Sequence, residues 1–254
     1  MFGSTDGEPQ TTTNAPERDG GTTMKHILSG LLLLLLACSS AHAVLLSRLS
    51  GQAYYDTASG LTWVADANLA QTSGYDADGQ MSWSAAVAWA ASLNAGSGYL
   101  GVSDWRLPTS TDTGAVGCDF AYSGTDCGFN VDLSTSEMAQ MFYGTLGNTA
   151  AYNISGVRQP CESAVPNRCL TNTGPFSNLQ PDYYWSGTVY HPTLNYAWTF
   201  GFNFGFQGGT SRGTILHAWA VRPGDIALVP VPATVWLFGS ALGLMGWMRR
   251  KISS

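Results

Sequence analysis

Lysine is absent from the central part of this 254-residue chain. Between residues 44 and 232 the basic side chains are six arginines, set against thirteen aspartates and glutamates, so this interval carries a net charge of −7. A surface of this charge repels phosphate backbones, and we expect no nucleic-acid partner. The 11% content of charged residues and the 30 glycines favour an extracellular, β-rich domain of about 180 residues, long enough for one hydrophobic core.

Signatures of catalysis are also scarce. The central part holds two histidines, His191 and His217, and the chain contains neither an H-E-x-x-H helix motif nor a phosphate-cradling glycine loop. Those motifs supply a metal site or an anion cradle, and without them we expect no enzymatic activity. An oxidase of the formylglycine-generating type would in addition need free cysteines.

The N-terminal part has the three regions of a secretory signal peptide. A cationic start at residues 24–26 precedes an apolar run over 27–37 and a small-x-small cleavage site at 41–43. We therefore predict a signal peptide over 24–43, which a signal peptidase removes, and a non-native or disordered extension over 1–23.

The cysteines that follow the signal peptide are even in number, namely Cys118, Cys127, Cys161 and Cys169. In an exported protein this count predicts two disulfides. Of the three possible pairings we favour Cys118–Cys127 and Cys161–Cys169, each of which closes a loop of about ten residues and adds about 2–3 kcal/mol of stability. The earlier Cys38 ends a lipobox-like "LLAC", so lipidation of Cys38 is an alternative to plain cleavage.

Two segments have the spacing of amphipathic helices. The first, "MSWSAAVAWAASLNAGSG", can be capped by Ser82, and the second, "STSEMAQMFYGTLGN", begins with a capping box of Ser134 and Glu137. The predicted apolar stripes are Trp83, Ala86, Val87 and Ala90 in the first helix, and Met138, Met141, Phe142 and Leu146 in the second. We expect the stripe of the second helix to lie in the core.

Other segments alternate as strands do. "AYYDTASGLTWV" contains a turn at "DTASG", and "YYWSGTVY" and "HAWAVRPG" are further strands. In "AWTFGFNFGFQGG" every second residue is aromatic, which predicts one strand with five rings on one face. Those rings are Trp198, Phe200, Phe202, Phe204 and Phe206. The order of elements predicts an α+β fold with a predominantly antiparallel sheet, two helices and long disulfide-stapled loops.

Five motifs together resemble the Lcl C-terminal domain family. They are "YYDTASGLTWVADANLA", "GYDADGQMSWSAAVAWAASLN", "SDWRLPT", "YYWSGTVY" and "HAWAVRPGD". The similarity covers residues 54–226 within a body of 44–228. The resemblance implies a C-type-lectin-like fold and a non-enzymatic, secreted or cell-surface domain that binds glycans. The insertion after "LPT", which holds Cys118 and Cys127, is expected to remodel any binding surface.

The C-terminal segment over 229–254 resembles a PEP-CTERM sorting signal in its VPxPA form. The residues that carry the resemblance are Val229, Pro230, Pro232 and Ala233 at its start and Arg249, Arg250 and Lys251 at its end. The apolar run over 233–248 is a predicted transmembrane segment whose flanking cations stay cytoplasmic. The resemblance implies an inner-membrane intermediate, cleavage by an exosortase-type peptidase, and release to the cell surface or matrix. A permanent anchor is the alternative.

Two acidic motifs are candidate calcium ligands. Asp76 and Asp78 lie two residues apart in "GYDADGQ", as the ligands of hard cations often do. Asp182 belongs to "QPD", which matches a galactose-type motif of C-type lectins. The distal glutamate of an EF-hand and the downstream Trp-Asn-Asp triplet of such lectins are missing from the sequence. We therefore expect that no cofactor is required, and calcium binding is an open alternative.

Aromatic rings offer a calcium-independent route to sugar binding, because they can stack on the apolar faces of sugars. The candidates are Tyr183, Tyr184, Trp185 and Trp198. In a sheet this rich in aromatic residues, however, we expect most of these rings to be core.

Two arginines that lie close to prolines are expected to be structural. Arg106 and Arg222 each lie one or two residues before a proline. We expect them to form buried ion pairs, with Asp104 or Asp225 as partners.

Two functions from different classes are consistent with these patterns. The first is an exported, surface-sorted, lectin-like adhesion or matrix protein that associates with extracellular polysaccharide. The second is a structural biofilm or surface component that acts through protein–protein contacts without binding glycan. Self-association of the protein in the absence of glycan would distinguish the second from the first.

Overall fold

Residues 43–113, 122, 126–191 and 193–226 are described by a computed structural model of the chain. The predicted N-terminal extension, nearly all of the signal peptide and the whole sorting signal lie outside these residues, as do Cys38 and Cys118. Within the described part of the chain, no helix is long and apolar enough to cross a bilayer.

The first sheet joins the two ends of the domain. Its strands are β1 (Leu45–Arg48), β2 (Ala53–Asp56), β3 (Leu61–Val64) and β10 (Val221–Pro223), in the order β1-β2-β3-β10, and all are antiparallel. The predicted turn after β2 forms because the Asp56 carboxylate accepts hydrogen bonds from the Ala58 amide and the Ser59 hydroxyl. The last strand therefore closes the sheet that the first strands begin.

The second sheet has six strands in the order β4-β9-β6-β7-β8-β5. They are β4 (Gln80–Met81), β5 (Gly128–Phe129), β6 (Tyr183–Val189), β7 (Tyr196–Gly201), β8 (Phe206–Ser211) and β9 (Leu216–His217). All pairs are antiparallel except β6 and β9, which run parallel where Tyr184 lies beside His217. The predicted α+β class with mostly antiparallel strands is confirmed.

The helices are short and lie between the strands. They are α1 (Leu69–Thr72), α2 (Trp83–Ser92) and α3 (Glu137–Ala139), and α3 continues directly as a π-helix over Gln140–Thr145. Single 3-10 turns occupy Leu49–Gly51, Leu133–Thr135 and Pro160–Ser163. The two predicted helices correspond to α2 and to α3 with its π-helical continuation.

The core is rich in aromatic rings, and several of its tryptophan N–H groups donate hydrogen bonds to backbone carbonyls. Met138, Met141, Phe142 and Leu146 are buried, as predicted for the second helix, whereas in α2 Trp89 is buried and Val87 is exposed. Several tryptophan indoles donate to carbonyl oxygens: Trp185 to Met81, Trp219 to Val64, Trp105 to Val102 and Trp83 to Ser186. Each bond lets a large ring be buried without leaving its N–H unpaired.

The predicted strand with five aromatic residues on one face is wrong, because the chain turns within it. β7 ends at Gly201, residues 202–205 form a turn, and β8 returns so that Phe206 lies opposite Gly201. Gly205 allows this turn with a φ of +65°, and a Cβ there would lie 2.7 Å from the Tyr143 hydroxyl oxygen. The spacing of the aromatic residues continues through the turn, so periodicity alone could not locate the turn.

The predicted capping box is also wrong. Ser136, rather than Ser134, caps α3, since its hydroxyl accepts from the Ala139 amide. Glu137 turns away from the helix start and forms a bidentate ion pair with Arg106, at 2.7 Å for both oxygens. One carboxylate oxygen also accepts from the Thr109 amide. The carboxylate is thus used to connect two distant segments and not to cap its own helix.

Of the predicted arginine pairs one is present, but it is not buried, since the Asp104 side chain is 69% exposed. Arg222 lies 3.9 Å from Asp104. Arg106 pairs instead with Glu137, and Asp225 is bound by Arg48 at 2.6 Å. The last pair joins β1 to the residues that follow β10, so it ties together the two ends of the domain.

One predicted disulfide is present between Cys161 and Cys169. Cys127 is disulfide-bonded as well, but its predicted partner Cys118 lies outside the described residues. The Cys161–Cys169 bond closes the loop that contains the 3-10 turn of residues 160–163, and Cys169 is fully buried in the core.

We predict that Glu137→Ala destabilises the protein by about 1.5–3 kcal/mol, since hydrogen bonds to charged groups contribute that much. The variant would leave the Arg106 guanidinium and the Thr109 amide without their acceptor. Urea unfolding of the wild type and the variant measures the difference. Glu162→Ala is the matched control, because Glu162 pairs with Arg158 along one exposed segment and its loss should cost far less. Equal effects of the two substitutions would contradict this account.

Candidate functional site

Several polar side chains that are far apart in sequence converge around one cavity of about 360 Å³. It is lined by Asn68, Gln71, Asp78, Gln80, Gln180, Pro181, Asp182 and His217, and we call these residues the amide–carboxylate cleft. They come from the start of α1, the turn before β4, β4 itself, the segment before β6, and β9. The cleft therefore lies at the edge of the second sheet, where β4, β9 and β6 are neighbours.

The turn before β4 is held by its own carboxylates. Asp76 accepts hydrogen bonds from the amides of Asp78 and Gly79, and Asp78 accepts from the Gln80 amide. The bond from the Asp78 amide contributes most to lowering the pKa of Asp76. Gly79 has a φ of +79°, and a Cβ there would lie 1.8 Å from Asn68 Oδ1. A side chain at this position would therefore push the turn away from α1.

The Gln180–Asp182 segment is anchored on the core. The Tyr184 hydroxyl accepts the Gln180 amide hydrogen at 2.8 Å, and the Asp182 carbonyl accepts from the Phe202 amide. The Asp182 carboxylate accepts from the Tyr183 amide, which leaves its second oxygen facing His217. Each of these bonds fixes backbone, so the side chains of the segment are presented in one orientation.

Asp66 connects the two walls of the cleft. Its carboxylate accepts from the Asn68 amide and the Thr72 hydroxyl on α1, and from the Asn178 side chain on the opposite segment. The Asp66 carboxylate thus holds α1 to the residues that precede β6. The side-chain nitrogen of Asn68, Nδ2, in turn donates a hydrogen bond to Gln71 Oε1.

His217 is the most buried ionisable group of the cleft, with 5% of its surface exposed. Its Nε2 lies 3.9 Å from Asp182 Oδ2, and its Nδ1 finds no hydrogen-bond partner among the described residues. Burial lowers the pKa of His217, and the carboxylates of Asp182 and Asp78 only partly oppose this. The ring is therefore neutral at pH 7 and offers one donor and one acceptor.

The charge of the cleft limits its ligands. Among the described residues that line it there are two carboxylates and no lysine or arginine. Sulfate and phosphate groups would be repelled at this position. Amide side chains that donate and accept, next to carboxylates that accept, match the hydroxyl groups of a neutral polyol such as a sugar.

The predicted calcium ligands do not form a complete site. Asp78 and Asp182 face the same cleft, whereas the Asp76 carboxylate is occupied by backbone amides of its own turn. No group of three His, Cys, Asp or Glu residues in the described part of the chain is arranged to hold a metal ion. Two carboxylates alone fall short of the six to eight oxygen ligands that calcium needs.

The four rings that were predicted to stack on sugars differ in how far they are exposed. Tyr184, Trp185 and Trp198 are buried, with at most 2% of their surface exposed, so these three rings cannot stack on a sugar. The reason is that both faces of β6 are covered, by Phe202 and Trp219 at Tyr184 and by Met81 at Trp185. Tyr183, at the first position of β6, is half-buried and is the one candidate that remains open to a ligand.

The sequence reading missed Asn68, Gln71, Gln80 and His217 as cleft residues. A local signal was available for three of them, because Gln80 follows Asp78 at the i+2 spacing of an extended segment, and Asn68 and Gln71 have the i, i+3 spacing of a helical turn. Nothing local relates either pair to β9, since the Gln80–His217 pairing spans most of the chain.

A larger cavity, of about 480 Å³, lies between the β2–β3 turn and the start of α3. Its walls carry many hydroxyl groups, from Ser59, Thr109, Ser110, Thr111, Ser134, Thr135 and Ser136. Glu137 is the charged residue among those that line it, and its carboxylate is already bound by Arg106 and by the Thr109 amide. The amide–carboxylate cleft has two carboxylates that no arginine or lysine of its lining pairs with, and it is the better candidate site.

Residues 209–213 have the G-x-S-x-G pattern of hydrolase nucleophile elbows. In such enzymes the serine lies between a strand and a helix. Here Ser211 ends β8, its hydroxyl accepts weakly from the Gly213 amide, and the chain continues into β9. The pattern therefore belongs to a turn between two strands and does not have the structural context of an elbow.

Comparison with known proteins gives one family. The model of the Lcl C-terminal domain matches residues 52–222, a range that includes every residue of the amide–carboxylate cleft. No curated protein and no solved structure matches the chain. The family resemblance expected from the sequence motifs is confirmed.

We predict that His217 makes the fold sensitive to mild acid. Its pKa is lower in the folded protein than the ordinary value of about 6.5, so below that value the unfolded chain binds more protons and stability falls as the pH falls. The melting temperature of the wild type should drop between pH 7.5 and pH 5.5, and that of His217→Gln should drop less. His191→Gln, at an exposed position, serves as the control and should behave as the wild type does. The same drop in all three proteins would refute the role of His217.

Proposed function

Because the chain belongs to the Lcl C-terminal domain family, we propose that it is a non-enzymatic, lectin-like adhesion or matrix protein that binds extracellular polysaccharide. The observation that carries this proposal is the amide–carboxylate cleft. Its two carboxylates are fixed by backbone hydrogen bonds, and no cationic residue of the lining neutralises them. Such an array suits the hydroxyl groups of a neutral glycan.

We also propose that the fold is of the C-type-lectin-like kind. Two features support this: β1 and β10 bring the ends of the domain into one sheet, and long loops leave the second sheet around a short stretch of strands. In this arrangement loops and strand ends carry the ligand site, while the first sheet closes the domain.

The proposed binding does not depend on calcium. Asp78 and Asp182 are the two carboxylates of the cleft, and each is already oriented by a hydrogen bond from a backbone amide. Direct hydrogen bonds from sugar hydroxyls to the two carboxylates replace the metal bridge that calcium-dependent lectins use.

The terminal segments support a surface location. A signal peptide over 24–43 would export the chain, and the segment over 229–254 would hold it in the inner membrane until an exosortase-type peptidase cleaves near the VPVPA motif. The intact mass of the mature protein from cells tests this step, since it locates both cleavages and reveals a lipid on Cys38. A mass that includes residues 234–254 would favour a permanent anchor instead.

We predict that Asp78→Asn and Asp182→Asn each weaken binding to the host's own exopolysaccharide about tenfold or more, because a hydrogen bond to a charged acceptor contributes about 1.5–3 kcal/mol. Asparagine keeps the shape of the side chain and can accept the same backbone bond. Biolayer interferometry on immobilised polysaccharide measures the affinities, with and without EDTA.

Asp104→Asn is the control for this experiment, since Asp104 is exposed and lies outside the cleft. It should bind as the wild type does, and EDTA should change none of the affinities. Failure of the wild type to bind any polysaccharide would overturn the proposal. Loss of binding in EDTA would overturn the calcium-independent mechanism alone.

A second candidate function is supported by exposed aliphatic residues. Ile154, Val157 and Val165 are 71%, 57% and 74% exposed, and all three lie in the segment that surrounds the Cys161–Cys169 disulfide. Such residues favour protein–protein contacts, as a structural biofilm component would need. Concentration-dependent self-association of the mature protein in glycan-free buffer, lost in Ile154→Ser with Val165→Ser, would favour this function.

A further inference from the structure

A third cavity lies on the face of the second sheet to which Tyr183 belongs. It has a volume of about 320 Å³ and is lined by Tyr183, Thr199, Phe206, Gly208, Gly209, Thr210, Thr214 and Leu216. We call it the sheet groove. Its volume is near the lower end of the range of about 300–1,000 Å³ that is usual for small-ligand pockets.

The register of three strands places these residues together. Tyr183 pairs with Gly201, and Gly201 pairs with Phe206, so these positions form one row across β6, β7 and β8. Thr199 and Gly208 form the next row. Residues in such rows point to the same face of the sheet, and this face is opposite to the one from which Tyr184 and Phe200 enter the core.

The rings in the groove rest on glycine. A Cβ at Gly201 would lie 2.9 Å from Cε1 and Cζ of Tyr183, and a Cβ at Gly208 would lie 2.8 Å from Cε1 of Phe206. The Tyr183 ring thus lies where a side chain on the neighbouring strand β7 would be, and the Phe206 ring lies over the glycine two residues along its own strand and packs against Phe129. The Tyr183 ring is therefore held close to the backbone of β7 and loses little freedom when a ligand stacks on it.

On this face of β6 other residues cover Trp185 completely but cover Tyr183 only in part. Trp185, two residues later on the same face, is fully buried and donates its indole N–H to the Met81 carbonyl. Tyr183 and Leu216 are only half-buried. Burial raises the pKa of Tyr183, so its phenol stays uncharged, and the other residues that line the groove carry no ionisable group.

Hydroxyl groups flank the rings. The hydroxyls of Thr210 and Thr214 lie 3.4 Å apart on one side. Thr199 donates to the Gly208 carbonyl and keeps its acceptor capacity. The groove therefore combines flat apolar surface with short polar groups and no charge, which is the chemistry of a pyranose ring with its apolar face and equatorial hydroxyls.

We propose that the sheet groove is a sugar subsite in which a neutral pyranose unit stacks on Tyr183 and bonds to the threonine hydroxyls. This inference rests on the proposed glycan-binding function and extends it. The groove is distinct from the amide–carboxylate cleft: Tyr183 and Leu216 line the groove, whereas their chain neighbours Asp182 and His217 line the cleft, and consecutive residues of a strand point to opposite faces of the sheet.

The test compares Tyr183→Leu with Tyr183→Phe, using cellohexaose and the host's own exopolysaccharide as probes. Stacking on an aromatic ring contributes roughly 1 kcal/mol or more, so Tyr183→Leu should weaken binding about five- to twentyfold. Tyr183→Phe keeps the ring and should stay within about twofold of the wild type on the same scale. Tyr75→Leu removes an exposed tyrosine outside the groove and should have no effect.

Thr214→Trp is a second variant, which tests the groove even if Tyr183→Leu fails to fold. Thr214 lies in the turn after β8, so a large side chain there fills the groove without altering a strand, and it should weaken binding as Tyr183→Leu does. If the wild type binds and both variants bind equally well, the subsite is overturned while the proposed function stands. If the wild type binds neither probe, both are overturned.

Discussion

The hydrogen bond between the Gln180 amide and the Tyr184 hydroxyl links the core of this domain to its candidate site. The Tyr184 ring has none of its surface exposed and packs against Phe202, His217 and Trp219. Burial raises the pKa of this phenol far above its usual range, so it is neutral at every physiological pH. Its hydroxyl thereby fixes the backbone of the Gln180–Asp182 segment, while its ring packs against the ring of His217.

This arrangement explains why the cleft can be polar in so aromatic a domain. The polar groups lie at the sheet edge, where α1, β4 and β9 are short and leave side chains accessible. Asp66 holds α1 to the segment before β6, and the glycine at position 79 lets the preceding turn approach Asn68 closely. Aromatic rings fill the interior and leave the edge to carboxylates and amides, an arrangement that suits the proposed binding of a neutral glycan.

Local patterns in the sequence predicted the elements better than their partners. The alternation in "YYWSGTVY" and the helical spacing of Met138, Met141, Phe142 and Leu146 identified a strand and a buried stripe because both signals are local. Aromatic alternation through Phe202 and Phe204 hid the turn between β7 and β8, since a turn of even length preserves the spacing. Glu137 was assigned to a capping box because its true partner, Arg106, is 31 residues away. The cleft could be predicted only through Asp78 and Asp182, and the parallel pairing of β6 with β9 that unites them has no local signature.

The most direct test of this account is the affinity of Tyr184→Phe for the host's exopolysaccharide. This variant removes one oxygen atom, keeps the core ring, and leaves the Gln180 amide without its acceptor. We predict that affinity falls about tenfold. The control is Tyr143→Phe, at a half-buried tyrosine whose hydroxyl donates to the Gly205 carbonyl and accepts from the Asn130 amide, away from the cleft; in this variant stability should fall and affinity should not. Full affinity in Tyr184→Phe, or an equal loss in both variants, would contradict the claim that Tyr184 holds the binding segment in place.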